Sequence, residues 1–277
     1  MEDVLVSVFM ITYNHENFIR QSLESVMFQK VNFRFEVVIG EDNSTDNTRS
    51  IVREYEARYP DIIKPIYHDV NVGGVRNAYE FCFPRLTGKY IACLEGDDYW
   101  TDPDKLQKQV DFLENNPGYS FCYHSINAVN DQDEVIETGR STGKIQLYKP
   151  LQVFHLKITT LSVVFRNCLG LSGPEMIKLQ VSDYVLFALL SNHGGAADMG
   201  FIGGHYRKHE GGVFTRLSLI EQYKYSLSLL RRMWNYSIFS QEQKMEIEKE
   251  MLIRKKRYIR RLLARLEFAN CMRIISI

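Results

Sequence analysis

The chain has 277 residues, of which 45% are hydrophobic and 25% are charged, an ordinary globular composition for one large α/β domain or a domain with an appended segment. Its 34 basic and 34 acidic residues cancel, so no overall field favours nucleic acid as a partner. No apolar stretch approaches the roughly 20 residues that span a bilayer.

The chain opens with the apolar run VLVSVFMI at residues 4–11, which has no basic leader and no cleavage site. We therefore predict a strand here and not a signal peptide. The five cysteines are scattered and never spaced as CxxC, which is typical of buried thiols in a reducing compartment. A cytoplasmic protein is expected.

The first hundred residues alternate between strand and helix patterns. Strands are predicted at Leu5–Thr12, Phe35–Ile39, Ile62–Tyr67 and Tyr90–Leu94, and helices at Phe18–Gln29, after the capping residues Ser44–Asp46, and at Gly74–Phe83. Short links between such elements indicate a parallel sheet with right-handed crossovers, in which ligands bind beyond the carboxyl ends of the strands.

The pattern changes after residue 98. We predict helices at Pro103–Asn115 and Asp183–Leu190, strands at Tyr119–Val129 and Thr160–Phe165, a hairpin turn at Asn130–Asp133, strand and loop at Gly194–Gly212, and charged helix from about Leu217. A soft boundary near Thr215 separates a domain of residues 1–215 from a helical extension of residues 216–277.

Polar and acidic residues follow each of the first four predicted strands. The segments are Thr12–Asn14, Glu41–Ser44, Asn71–Asn77 and Glu95–Asp98. Turn formers explain any one of these loops. Four such loops at one sheet edge, two of them acidic, favour a ligand site.

The adjacent carboxylates Asp97 and Asp98 stand between a buried strand and a helix start. Neighbouring carboxylates raise each other's pKa unless a cation or hydrogen bonds compensate. Mg²⁺ and Mn²⁺ prefer carboxylate oxygens and bind substrate phosphates. This placement therefore predicts a divalent-metal site that accepts a diphosphate.

Four motifs in order, VSVFMITYNHENFIRQSLESVMFQ, EVVIGEDNSTDNT, NVGGVRNAYEF and YIACLEGDDYWTDPDKLQKQV, resemble those of the family 2 glycosyltransferases. The likeness covers about residues 6–214. It implies an inverting, metal-dependent enzyme of the GT-A fold, with a mixed, mostly parallel sheet flanked by helices. Residues 1–100 would form the nucleotide-binding half and residues 101–215 the acceptor half.

The resemblance also implies site roles. Thr12 and Tyr13 fall where the family holds the base, Asp42 where a carboxylate accepts hydrogen bonds from it, and Arg76 on the loop that flanks the nucleotide. Asn14 and Glu41, at the same strand ends, complete the nucleotide-binding set. Asp97 would meet the ribose or the metal shell, and Asp98 would bind Mn²⁺ or Mg²⁺ bridging to the diphosphate.

On the acceptor side, Asp183 precedes an apolar helical run, where the family places its general base. The alternative is a structural N-cap aspartate. The loop GGHYRKHEGGVFT resembles a segment that closes over the diphosphate, which makes His209 a metal or phosphate ligand and Arg207 and Lys208 weaker phosphate partners. Trp100 either walls the sugar pocket or packs in the core.

The segment from Leu252 to the end carries eight Lys or Arg residues and one acid. Apolar residues at helical spacing make it a basic amphipathic helix. Two interpretations stay open: an interfacial helix on an anionic membrane, or a packed helix with a solvated face, for which contact with a second copy of the chain in a homodimer is a further option.

Together these patterns predict an inverting transferase that moves a sugar from a nucleotide-sugar, in the first place a UDP-sugar, to a glycan or lipid-linked acceptor. The pathway expected is synthesis of a surface polysaccharide such as a capsule or O-antigen. A metal-dependent sugar nucleotidyltransferase is the alternative, although it has no need of a base placed as Asp183 is. A non-catalytic sugar-nucleotide binding protein is the third hypothesis.

Overall fold

The structure is a computed structural model that describes residues 3–170, 174–209, 217–265 and 274. It divides into a sheet unit, formed by residues 1–153 and 157–207, and a helical unit, formed by residues 154–156 and 208–277. The predicted boundary near Thr215 falls within residues 210–216, outside the described part.

One mixed sheet organises the sheet unit. Its strands are β1 (Val6–Thr12), β2 (Phe35–Glu41), β3 (Ile63–Tyr67), β4 (Tyr90–Cys93), β5 (Tyr99–Trp100), β6 (Tyr119–Val129), β7 (Val135–Glu137), β8 (Gln146–Tyr148), β9 (Val164–Arg166) and β10 (Gly195–Arg207). The order is β3-β2-β1-β4-β9-β6-β10-β5, with β7 paired to β6 and β8 to β10. The strands β3, β2, β1 and β4 are parallel to one another. Strand β9 lies between β4 and β6 and is antiparallel to both.

The helix that follows the first strand packs against the sheet through one apolar stripe. The helices of both units are α1 (Ile19–Met27), α2 (Thr48–Arg58), α3 (Gly74–Arg76), α4 (Lys105–Asn115), α5 (Pro174–Leu179), α6 (Asp183–Leu190), α7 (Leu219–Asn235) and α8 (Gln241–Ala264). In α1, Ile19, Leu23 and Val26 lie at helical spacing and are fully buried. They pack in one core with β1, β2 and β4, so the predicted α/β architecture is confirmed.

The predicted helix Gly74–Phe83 is correct in place and wrong in type. After the single α3 turn, Asn77–Cys82 forms a π-helix, followed by a 3₁₀ turn at Phe83–Arg85. The buried Asn77 side chain at the start of this segment donates to the Gly40 carbonyl (2.9 Å) and bonds His68 Nε2 (3.0 Å). Gly40 has to lack a Cβ, because that atom would overlap the Asn77 amide.

The predicted strand Thr160–Phe165 begins too early. Thr160–Ser162 is a 3₁₀ turn, in which the Ser162 hydroxyl and backbone N–H both donate to the Thr159 carbonyl (2.6 and 3.0 Å). The strand follows as β9, which pairs with β4 and β6. This local serine bond competes with the ladder and delays the strand.

The helical unit contains α7 and α8, separated at residues 236–240. Ser218 and Ser240 each begin a helix with a capping box, completed by Glu221 and Gln243, a signal that our sequence analysis missed. An apolar cluster that includes Tyr223 joins the two helices. In the described part of the chain, no helix combines the length and the apolar character that crossing a membrane requires.

Candidate active site

Parallel register brings the polar loops after β1, β2 and β4 to one edge of the sheet. Thr12 pairs with Glu41 across β1 and β2, and the Asp42 N–H donates to the Thr12 carbonyl (3.0 Å). On the other side of β1, the Gly96 N–H donates to the Ile11 carbonyl (3.1 Å). The loops that the sequence singled out therefore meet at the carboxyl ends of the strands, as in ligand-binding sheets of this class.

A carboxylate cluster lies in the loop after β4. Oxygen atoms of Glu95, Asp97 and Asp98 lie within 4.8 Å of one another. Asp98 is only 1% exposed, and its Oδ1 accepts the Arg207 backbone N–H (2.8 Å). Its Oδ2 is buried and has no hydrogen-bond partner among the described residues.

Burial, followed by repulsion among the carboxylates, raises the pKa values of two acids in this cluster. Burial, then the charges of Asp97 and Asp183, raises the pKa of Glu95 to about 8. Burial, then Asp97 and Glu95, raises the pKa of Asp98 well above its ordinary value. A hard divalent cation prefers carboxylate oxygens as ligands, and its charge would relieve the repulsion among these acids. The residues present therefore fit Mn²⁺ or Mg²⁺.

Asp183 is the first residue of α6, and Ser182 occupies the N-cap position. Asp183 Oδ2 accepts from the Thr160 hydroxyl (3.3 Å) and Oδ1 from the Tyr184 N–H (2.7 Å). Its charge contributes to the raised pKa of Glu95, so the fold brings it near the carboxylate cluster across 88 positions of sequence. Its role as the base remains a prediction.

The β1 end presents one exposed aromatic ring. Tyr13 is 41% exposed, whereas Thr12 is buried and its hydroxyl bonds His15 Nδ1 (3.2 Å). Asn14 takes a left-handed conformation (φ 55°), and its side-chain oxygen accepts the Thr45 N–H (2.8 Å). Asn14 therefore holds the two loops together, and Tyr13 is the side chain available to a base.

The two acids at the end of β2, Glu41 and Asp42, bond to the neighbouring loops. Asp42 accepts the N–H groups of Val72 and Gly73 (2.7 and 2.9 Å). Glu41 is fully buried, accepts the Ser44 N–H (2.7 Å) and pairs with Arg49. In this arrangement both acids order backbone around the predicted nucleotide site.

Arg76, predicted to flank the nucleotide, is half-exposed at the end of α3. Its guanidinium pairs with Glu80 one helical turn later (2.8 Å). This ion pair does not show whether Arg76 contacts a nucleotide, so its assignment remains a prediction.

Trp100, for which a core position was the alternative, and Arg207 are both buried. Trp100 is 4% exposed, its indole N–H donates to the Leu161 carbonyl (2.8 Å), and Lys105 lies against its ring; these contacts favour the core position over the sugar pocket. Arg207, predicted as a weak phosphate partner, is 3% exposed and engaged by protein groups. Its guanidinium is therefore occupied.

His209 and Lys208 belong to the helical unit, and their proposed contacts with metal or phosphate remain predictions. The sequence analysis assigned no role to Glu95 or His15. Glu95 joins the carboxylate cluster, and His15 Nε2 lies 3.8 Å from Asp97 Oδ2. Both residues stand next to predicted site motifs in the sequence, Glu95 beside Asp97-Asp98 and His15 after Thr12-Tyr13-Asn14, and this proximity could have identified them.

Comparison with known proteins identifies the family. The model described as "Glycosyl transferase family 2" matches residues 7–170. Protein Rv1520 of Mycobacterium tuberculosis is 41% identical over 124 residues, which are 45% of this chain and 36% of that protein. The match thus spans about a third of that relative's length.

Other relatives match over more of their length. The UDP-Glc:alpha-D-GlcNAc-diphosphoundecaprenol beta-1,3-glucosyltransferase WfgD of Escherichia coli is 30% identical over 77% of this chain and 81% of its own. Among solved structures, TarS 1-349 of S. aureus in complex with UDP-GlcNAc has a TM-score of 0.67 at 19% identity, covering 91% of this chain and 72% of TarS. The predicted GT-A fold is confirmed, and the chain belongs to glycosyl transferase family 2.

Proposed function

We propose that this protein is an inverting glycosyltransferase that moves a sugar from a UDP-sugar to a lipid-linked glycan acceptor. The observation that carries the proposal is the carboxylate cluster at the strand ends, in which Asp98 is buried with its Oδ2 unpartnered among the described residues and Asp183 lies nearby. The donor class is supported by WfgD, named for UDP-Glc, and by the UDP-GlcNAc complex of TarS. The acceptor class is supported by the diphosphoundecaprenol acceptor in the name of WfgD.

Asp98, Asp97 and Glu95 would hold the divalent cation. A related fold, the mannosyltransferase PcManGT of Pyrobaculum calidifontis, is known in complex with GDP-Man and Mn²⁺ (TM-score 0.62, 14% identity). When bound, such an ion offsets the charge that grows on a departing diphosphate. The three carboxylates supply oxygen ligands, and the burial of Asp98 keeps bulk water away from its free oxygen.

Asp183 would act as the general base. Its carboxylate takes the acceptor hydroxyl proton while the acceptor oxygen forms a bond to the anomeric carbon. The bond from that carbon to the diphosphate breaks, and the electron pair leaves with UDP. This single displacement inverts the anomeric centre, and the Thr160 hydroxyl (3.3 Å) orients the base.

The nucleotide would lie over the ends of β1 and β2. The exposed Tyr13 ring packs against the base, while Asp42 fixes the 72–73 backbone that borders it. Arg76 flanks the same loop and exchanges Glu80 for a phosphate when the donor binds. These assignments are the ones that a nucleoside diphosphate sugar would use.

The expected setting is the inner face of the cell membrane, in synthesis of a surface polysaccharide such as a capsule or O-antigen. Helix α8 supports this, because Leu252, Ile253 and Leu263 are exposed beside Lys256 and Arg260. Apolar side chains rimmed by cations match an anionic lipid surface. Contact with a second copy of the chain is the competing use of this face.

The test measures released products with UDP-glucose or UDP-GlcNAc, Mn²⁺ and a GlcNAc-diphosphoundecaprenol acceptor. We expect free UDP, loss of turnover with EDTA, and loss of turnover in Asp98→Asn but not in the exposed control Asp104→Asn. Release of pyrophosphate would instead identify a nucleotidyltransferase. Turnover that survives thorough chelation would reject the metal site.

A further inference from the structure

Arg207 ends β10 beside the carboxylate cluster. The antiparallel pairing of β10 with β5 sets Gly204 opposite Trp100 and His205 opposite Tyr99. Continuing that register brings Arg207 to the Asp97–Asp98 turn. A buried arginine is uncommon unless its donors are satisfied, so its partners indicate what it does.

The guanidinium of Arg207 joins three separate segments. Nε donates to the Asp97 carbonyl (3.1 Å), Nη1 donates to the Asn130 carbonyl (3.1 Å), and Nη2 donates to Gln21 Oε1 (2.6 Å) and pairs with Asp133 Oδ1 (2.8 Å). It also lies over the rings of Phe18 (4.6 Å) and Tyr99 (5.4 Å). One side chain thus ties helix α1 and the β6–β7 hairpin tip to the acidic turn.

The main chain and the side chain of Arg207 make separable contributions. The backbone N–H holds Asp98 Oδ1 (2.8 Å), and every substitution except proline keeps it. The side chain braces the turn through the Asp97 carbonyl. With Oδ1 occupied, Oδ2 is the Asp98 oxygen left for a cation.

Only an arginine suits this position. Its planar guanidinium offers five donors in a fixed fork, whereas a lysine ammonium is a point charge on a flexible stem. The four acceptors, which come from three segments, match the several donors of this fork. Its positive charge also counters the repulsion among Glu95, Asp97 and Asp98 before any metal binds.

We propose that Arg207 is a positioning residue that holds the Asp97–Asp98 turn in the shape that a divalent cation requires, and that the hairpin tip Asn130–Asp133 supports it through Asp133. This inference rests on the proposed metal site. It replaces the predicted phosphate contact of Arg207 with a role inside the protein.

The experiment measures Mn²⁺ binding to the full chain without nucleotide, by titration calorimetry and by the electron paramagnetic resonance spectrum of bound Mn²⁺. The variants are R207Q, R207K and D133A. D131A is the matched control, because Asp131 is exposed at the same tip and has no hydrogen bond or ion pair within the described residues. Thermal unfolding without metal monitors the fold of each variant.

We expect the Mn²⁺ dissociation constant of R207Q to rise about 10- to 100-fold, the range for groups that orient metal ligands. R207K should recover only part of the affinity, D133A should show a smaller loss with an altered Mn²⁺ spectrum, and D131A should match the wild type. A merely structural role would lower the metal-free unfolding temperature without changing the affinity of the folded fraction.

Unchanged Mn²⁺ affinity in folded R207Q, or full recovery in R207K, would overturn the positioning role while leaving the metal site intact. If R207Q does not fold, D133A decides: affinity and spectrum equal to those of D131A overturn the proposal. A wild-type protein that binds no Mn²⁺ would overturn the metal site and, with it, this role of Arg207.

Discussion

Replacing the buried lysine of α4 should stabilise the protein. Lys105 is fully buried, and its Nζ has no hydrogen-bond partner among the described residues. The ammonium lies 3.8 Å from the centre of the Trp100 ring. Burial lowers the pKa of Lys105 to about 7. The substitution Lys105→Met keeps the length of the side chain and removes the charge.

The magnitude follows from the two protonation states. The unfolded lysine has a pKa of about 10.4 and the buried lysine a pKa of about 7. Each pKa unit corresponds to about 1.4 kcal/mol, so at pH 7 burial costs about 4 kcal/mol. The attraction of the ammonium to the Trp100 ring offsets about 2 kcal/mol of this. Lys105→Met should therefore raise the free energy of unfolding at pH 7 by about 2–3 kcal/mol.

The sign of the pH dependence follows from the lowered folded-state pKa. Between about pH 7 and about pH 10.4 the unfolded chain holds a proton that the native lysine has lost, so stability rises with pH in that window. This rise should be present in the wild type and absent from Lys105→Met.

Urea unfolding of both proteins at pH 7, 8 and 9 measures these differences. Lys108→Met is the matched control, because Lys108 is on the same helix, about half-exposed, and paired with Asp102 (2.7 Å). A destabilised Lys105→Met, or a difference from wild type that stays constant from pH 7 to 9, would refute the reasoning. Either result would mean that the ammonium is stabilised in the native state.

Three further predictions concern the site and the helical unit. Asp183→Asn should keep its affinity for UDP-sugar and lose about 10²-fold or more in turnover on the true acceptor, the scale of a lost general base; near-normal turnover in a steady-state assay would assign the base elsewhere. Asp42→Ala should leave the Val72 and Gly73 N–H groups without their acceptor, lower the free energy of unfolding by about 1–3 kcal/mol and weaken UDP binding. An unchanged unfolding free energy in denaturation and an unchanged UDP affinity in calorimetry would contradict this. Leu252→Glu with Lys256→Glu should abolish co-sedimentation with anionic vesicles, since each basic residue contributes about 1 kcal/mol there, and equal recovery with neutral vesicles would reject the electrostatic anchor. These point changes are preferable to truncation at Leu252, which would remove Tyr258 and Leu262 from the α7–α8 core.

Local patterns were enough to predict much of the fold. Tyr119–Val129 and Asp183–Leu190 were predicted with the bounds that the structure gives them, because apolar periodicity and turn residues act over a few positions. The turn at Asn130–Asp133 was likewise confirmed as a hairpin tip, with the Asp133 N–H donating to the Asn130 carbonyl (3.1 Å).

The sequence by itself also determined the acidic edge of the sheet, since the carboxyl ends of parallel strands converge whatever their loops contain. Only the tertiary structure decided which acid has which partner. Asp42 is occupied by backbone 30 residues away, and Asp98 by Arg207 at a separation of 109 residues. Burial decided that Trp100 packs in the core and that Asp98 Oδ2 is left bare. Such outcomes depend on contacts between distant segments, and these arise only when the sheet has formed and water is excluded from the groups between its loops.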